Sequence, residues 1–143
     1  WQVEKHCDRV NQRLKRVLCA EFEISTSEII EESIEQLNES FAGQRKEFSV
    51  PLLFVGTDFQ KTVWNELLKI PFGRTISYGE MARHIGMPQA VRAVANANGA
   101  NSISIFAPCH RVIGSDHSLT GYGGGLSAKR FLLELESQPR LML

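Results

Sequence analysis

Cysteine is scarce in this chain: there are three, Cys7, Cys19 and Cys109, at unrelated spacings. An odd number without a repeating interval builds no disulfide framework, so a reducing compartment is expected. Long apolar runs are missing as well. The longest, Val50 to Val55, contains Pro51 and falls far short of the roughly 20 residues that a membrane helix needs. No secretory signal is visible. The expectation is a soluble monomer without a membrane partner, cytoplasmic, or nuclear in a eukaryote. Net charge is absent too, since 16 Lys and Arg offset 16 Asp and Glu, yet the charges are unevenly placed. Before Gly56 stand 7 basic and 10 acidic residues; from Gly56 onward the numbers are 9 and 6. From Met81 to Ser115 there is no acidic residue at all, while Arg83, Arg92 and Arg111 are present. A phosphate backbone would meet little repulsion along that stretch.

What is present reads mainly as helix. Val3, Cys7, Val10, Leu14, Val17 and Leu18 recur at helical spacing up to about Cys19, and a short extended piece, Glu21 to Ile24, follows. Ser25 and Glu28 are spaced as a capping box ahead of the stripe Ile30, Ile34, Leu37 and Phe41. Phe48, Val50, Leu52 and Phe54 alternate like a half-buried strand, which Pro51 confines to an edge. Thr57 with Gln60, and Ser77 with Glu80, repeat the capping pattern before two more helices, the second ended by Gly86. Pro88 is placed to open the next helix at its first turn. In it Val91, Val94 and Ala95 point one way while Gln89, Arg92 and Asn96 form a polar stripe. Ile103 and Ile105 read as an extended lead into Pro108-Cys109-His110-Arg111. Thr120 to Gly125 is glycine-rich, and Leu126 with Phe131 is spaced as a hydrophobic staple for a last helix from Ser127, ended by Pro139.

Two short helices about a Gly86-Met87 turn, the second polar on its outer side, suggest a helix-turn-helix, although many helical proteins contain such pairs without binding anything. Cys109, between a chain-stiffening proline and a histidine, stands where a thiol can be turned into thiolate; a lone cysteine in an apolar stretch is more often a small buried hydrophobe. The ordered whole decides between these readings. Pro108-Cys109-His110-Arg111-Val112-Ile113-Gly114 resembles the active-site signature of the O6-alkylguanine-DNA alkyltransferases. Ile76 to Glu80, Ala90 to Val94, Asn98 to Asn101 and Thr120 to Gly125 fall in that family's order and spacing. The resemblance covers about residues 40 to 137.

The resemblance implies an α+β protein. A small N-terminal αβ domain, residues 1–55, would be a partial RNase H-like unit lacking its first strands. A mainly helical, winged-helix-like domain with the helix-turn-helix, residues 56–143, would follow. It implies that Cys109 takes the alkyl group from O6-alkylguanine in double-stranded DNA and keeps it. His110 would remove the thiol proton through a water, oriented by Glu136. Tyr78 would contact the target phosphate and protonate the leaving guanine, and Asn101 would tie the motif to the active-site loop. Arg92 would fill the stack vacated by the flipped base, with Gln89, Ala90, Ala93, Asn96 and Arg111 as further DNA contacts. Pro108, Tyr122, Gly123 and Gly124 would line the base pocket. No cofactor is implied, and His6, Cys7 and Cys19 lack a convincing zinc-ligand spacing. The rivals are a non-catalytic alkyltransferase-like protein, which lacks the cysteine, and a cysteine hydrolase, for which no supporting motif is present.

Overall fold

The computed structural model describes residues 2–118 and 122–137, with the side chains of residues 2–4 left aside. Its elements run α1 (Gln2–Leu18), α2 (Glu28–Phe41), α3 (Asp58–Leu67), β1 (Ile76–Ser77), α4 (Tyr78–His84), α5 (Val91–Gly99), a 3-10 turn (Cys109–Arg111), β2 (Val112–Ile113) and α6 (Leu126–Ser137). Helices dominate, and β1 and β2 form a two-stranded parallel sheet with Ile76 opposite Val112 and Ser77 opposite Ile113.

The core is built where α3, α4 and α5 meet. Val63, Trp64, Leu67, Met81, Ala82, Val94, Ala97 and Val112 are buried together. The Trp64 indole donates a 2.8 Å hydrogen bond to the Ala97 carbonyl, so its polar edge is satisfied inside the core. Local signals set the ends of these helices. The Thr57 hydroxyl accepts from Gln60 N at 3.1 Å and the Gln60 side chain accepts from Thr57 N at 3.0 Å, the reciprocal capping box read from the sequence. The Ser77 hydroxyl caps α4 through Glu80 N. At its far end Met87 N bonds to Ala82 O and Gly86 N to Arg83 O, with Gly86 at φ +76, a Schellman closure that only glycine adopts without strain.

Other expectations are corrected. The cap of α2 is Ser27, whose hydroxyl accepts from Ile30 N, and not Ser25. The Ile30, Ile34 and Phe41 stripe is about half exposed, because α2 instead buries Gln36 and Ser40. The Gln36 amide both donates to the Ser49 hydroxyl and accepts from Ser49 N, so a polar clasp fixes the 48–55 segment. That segment keeps its alternation, with Val50 buried and Pro51 and Leu53 outward, but it pairs with no strand. Glu21 to Ile24 is likewise outside any strand, and the strands of an RNase H-like layer are not found among the described residues before Gly56.

Helix α1 is held through Arg13 and covers only the middle of its apolar stripe; Val10 and Leu14 are half-buried, Cys7, Val17 and Leu18 are exposed, and the side chain of Val3 lies outside the described residues. The Arg13 guanidinium donates to Ala100 O at 2.8 Å and lies 5.5 Å over the Trp64 ring. Pro88 and Gln89 form a turn, closed by Ala90 N to Met87 O, so α5 starts at Val91, which is exposed. Ile105 stands at φ +74 inside a turn, so the expected extended segment is absent. Leu126 opens α6 and is exposed, as is Phe131, whose ring meets Phe41 instead of stapling the helix start. Pro139 lies outside the described residues.

Because α3 delivers Trp64 to the core, its cap has a measurable weight. Thr57→Ala is expected to lower unfolding free energy by about 1 kcal/mol in urea titration, with the slope against denaturant unchanged.

Candidate active site

The turn after Ala107 buries the reactive residues. Cys109 N bonds to Ala107 O at 2.8 Å and Arg111 N to Pro108 O at 3.0 Å, so Cys109, His110 and Arg111 occupy a single 3-10 turn. Cys109 is 3% exposed and His110 1%. In that turn the His110 Nε2 lies 2.7 Å from Glu136 Oε1 on α6, and its Nδ1 is buried with no protein hydrogen-bond partner. A carboxylate facing Nε2 holds the proton of the neutral imidazole there, which leaves Nδ1 as a lone-pair acceptor.

Glu136 is also gripped by Arg111. Arg111 Nε and a terminal nitrogen donate to the carboxylate at 2.9 and 2.8 Å, while the other terminal nitrogen donates to Ile70 O at 2.7 Å. Burial alone would raise the Glu136 pKa, but the hydrogen bonds and charges of His110 and Arg111 outweigh it and hold the carboxyl at about 2. This corrects the reading of Arg111 as a DNA contact. Arg111 is 7% exposed and its guanidinium faces inward, because a buried carboxylate needs a fork of donors.

Two asparagines hold the loop around the thiol. Asn101 Nδ2 donates to Ala107 O at 3.0 Å and its Oδ1 accepts from Ile103 N. Asn98, to which the sequence reading gave no task, donates to Cys109 O at 3.1 Å and approaches the Tyr78 hydroxyl at 3.5 Å. Burial pushes the Cys109 thiol up, against the opposing pull of Asn101, Lys129 and Ser104, so the resting group is a thiol that needs a base. Burial also raises the Tyr78 hydroxyl to about 12, which keeps it a proton donor at neutral pH.

Lys129 is the second missed residue. It is fully buried, donates to Val112 O, and lies 5.7 Å over the Tyr78 ring. Burial lowers its pKa to about 8, while Cys109 pulls it upward. Its signal is in the sequence: Lys129, Leu132 and Glu136 are spaced i, i+3 and i+7 on one face of α6, where a lysine is out of place unless it meets an anion or carbonyl.

The remaining expected residues divide by position. Arg92, Ala93 and Asn96 on α5 and Gln89 in the preceding turn are exposed, and Ala90 is half exposed. Tyr122 is half buried against the core, and burial raises its hydroxyl to about 12. A Cβ on Gly124 would come within 2.9 Å of the Tyr122 ring, so the missing side chain makes room for that ring. Thr120 and Gly121 lie outside the described residues. Pro108 is buried and, with Arg111, borders a separate cavity of about 680 Å³ reaching under Phe48 and Phe54. Among the described residues no His, Cys, Asp and Glu cluster could hold a metal ion, and no helix is long and apolar enough to cross a membrane.

Fold and site define a helix-dominated protein that buries one thiol beside a histidine–carboxylate pair, behind an exposed pair of helices. The family model for the DNA-binding domain of 6-O-methylguanine DNA methyltransferase matches residues 58–138, more than half of the chain, and the chain belongs to that family. It is 60% identical over 104 residues to the methylated-DNA–protein-cysteine methyltransferase of Mycobacterium tuberculosis H37Rv, across 73% of this chain and 63% of that relative. It therefore spans less than two thirds of the relative's length. The crystal structure of Mycobacterium tuberculosis OGT in complex with DNA superposes with a TM-score of 0.74 at 57% identity, over 76% of this chain and 67% of the other. The O6-methylguanine-DNA methyltransferase of Pyrococcus kodakaraensis KOD1 matches at a TM-score of 0.73 and 26% identity, over 96% and 80%.

The carboxylate cluster gives a paired prediction. A carboxyl held at about 2 stabilises the fold above its ordinary value of 4.5, and that stability is lost as pH falls through the folded value. Thermal melts from pH 7 to 2 are expected to show a decline below about pH 4.5 that Glu136→Gln flattens. Arg111→Ala, which strips a buried carboxylate of its fork, is expected to cost about 3 kcal/mol at neutral pH by denaturant titration.

Proposed function

We propose that this chain repairs DNA by moving an alkyl group, methyl in the first instance, from the O6 atom of guanine to the sulfur of Cys109 in a single turnover. The observation that carries the proposal is the buried Cys109-His110 turn whose histidine is held by Glu136 through Nε2 with Nδ1 left as acceptor. In the reaction His110 takes the Cys109 proton through a water, and the thiolate attacks the alkyl carbon. The carbon–oxygen bond breaks with its electrons going to guanine, and the Tyr78 hydroxyl supplies a proton to the departing base. Lys129 favours the thiolate by its charge. A thioether has no hydrolytic exit, so each molecule acts once.

The substrate must reach the sulfur of a residue that is 3% exposed, which supports extrusion of the nucleotide from the duplex. We assign α4 and α5 the role of a helix-turn-helix within a winged-helix-like unit spanning residues 56–143. It would dock in the minor groove with Arg92 in the vacated stack and Gln89, Ala90, Ala93 and Asn96 against the strand. Tyr122, Gly123, Gly124 and Pro108 would border the base pocket. The relative crystallised with DNA and the acid-free stretch from Met81 to Ser115 favour this partner. A purely recognising protein of the same family would have no use for a thiol at the centre of a proton relay, so the presence of Cys109 favours transfer over recognition.

Intact mass spectrometry after incubation with O6-methylguanine duplex is expected to show a gain of about 14 Da per molecule on Cys109 and none in Cys109→Ala. Label on Cys7 or Cys19, or many equivalents consumed per protein, would refute the proposal. Arg92→Ala is expected to slow transfer from duplex DNA strongly, since it forfeits an offset to an unstacking cost of roughly a few kcal/mol. Its reaction with free O6-benzylguanine should stay near that of the wild type. Equal slowing on both substrates would place the damage at Cys109, and no slowing on either would remove Arg92 from extrusion.

A further inference from the structure

Helix α1 takes no part in the chemistry above, yet it forms one wall of a groove of about 730 Å³ whose other wall is α5 and the loop that begins at Tyr122. His6, Arg9 and Arg13, spaced i, i+3 and i+7, face into it from α1, opposite Asn96, Tyr122 and Gly123. Among the described residues that line it there is no Asp or Glu. The cations are crowded. Besides burial, Arg13 and Arg9 push the His6 pKa down, and Arg16 adds to the effect of burial on Arg13. The groove thus has the positive potential and open mouth that suit an extended anion.

The wall is also fixed in place. Arg13 anchors α1 through Ala100 O and the Trp64 ring, and the His6 ring packs so closely on Gly123 that a Cβ there would meet its Nε2 at 2.3 Å. Arg9, between these two anchors, is exposed. Asn96 is on the same outer side of α5 as Arg92, and Tyr122 and Gly123 border the proposed base pocket. Asn96, Tyr122 and Gly123 thus line this groove as well as the face and pocket assigned above to DNA.

We propose that the groove between α1 and α5 holds the DNA backbone beside the extruded nucleotide, with Arg9 donating to a phosphodiester oxygen, so that α1 is a second DNA-contacting element. The inference rests on the reading of the chain as a base-extruding alkyltransferase. Arginine suits the task because its planar fork can pair with two phosphate oxygens at once.

The test uses the full chain in a Cys109→Ala background, so that an O6-methylguanine duplex binds without reacting. Fluorescence anisotropy from 50 to 200 mM salt is expected to give a log–log slope reduced by about one in Arg9→Gln, the loss of one phosphate contact. Arg9→Lys should restore most of the slope. Uncharged methylphosphonate linkages placed singly on either side of the target are expected to weaken Arg9 protein severalfold at one position. At that position they should leave Arg9→Gln unaffected. Losses that add independently at every position, an unchanged slope, or tighter binding by Arg9→Gln would overturn the assignment, the last by making α1 an obstruction. With Cys109 intact, failure of the wild type to acquire the methyl group would instead sink the underlying reading, whereas alkylation with an unaltered Arg9→Gln slope would sink the groove alone.

Discussion

The ionised carboxylate of Glu136 is the point on which the site depends. It receives two donors from Arg111 and faces Nε2 of His110, and those residues are neighbours of Cys109 in one turn. Removing α6 from that turn would leave a buried guanidinium without its counter-charge and an imidazole N–H without its acceptor, a cost of several kcal/mol. Arg111 passes the constraint on through Ile70 O to the segment that follows α3, the helix that carries Trp64. One carboxylate therefore links the last helix, the reactive turn and the main core. The same contact fixes the histidine tautomer, so structural order and acid–base competence come from one interaction.

A buried thiol is poorly suited to ionise, and the surroundings of Cys109 resist ionisation before substrate arrives. Burial raises its pKa, while Lys129, itself lowered to about 8, lies on the opposite side of the balance. Two buried groups of opposite tendency close together can exchange their costs: a thiolate there is stabilised by the ammonium, and the ammonium by the thiolate. Placing the pair out of water strengthens their attraction and keeps competing nucleophiles away. The loop ahead of the turn shows the mechanical side of this arrangement. Ile105 is held at φ +74, a conformation that costs a β-branched residue roughly 1–3 kcal/mol and persists only where neighbours impose it. Hydrogen bonds bracket that residue on both sides: Asn101 binds Ile103 N and Ala107 O, and Ala107 N bonds to Ile103 O.

What could be read from the sequence was what depends on a few adjacent residues. The Thr57–Gln60 box, the Ser77 cap and the Gly86 closure were legible because each is a bargain between groups three to five residues apart. The Cys109 signature was legible because its residues are contiguous. Arg111 was misread because its meaning comes from Glu136, 25 positions away, and an arginine in an acid-free stretch looks like a surface cation until its partner is seen. The apolar residues of α2 misled for the reverse reason. Their periodicity is helical and the helix is there, yet the face it buries was chosen by Gln36 and its hydrogen bonds to Ser49. Lys129 was within reach, since its place on the α6 stripe with Leu132 and Glu136 marks it as an inward cation. Asn98 was not, because its two partners come from different elements, Tyr78 of α4 and Cys109 of the turn.

Helix α5 shows how chemistry and recognition share a frame. Its inner side gives Val94 and Ala97 to the core and Asn98 to the carbonyl of Cys109, while Arg92 and Asn96 project from its outer side. Asn96 and Asn98 are only two residues apart, and an α-helix rises about 1.5 Å per residue, so outer and inner contacts are separated by little more than the width of one helix. The inner side of α5 packs in one core cluster with Trp64 of α3 and Ala82 of α4. Arg92 and Asn96 on the outer side are thus carried by the same helix as the Asn98 bonds to Cys109 and Tyr78. On the proposed reading, the helix that meets the DNA strand is also the one that holds the carbonyl of Cys109, through Asn98.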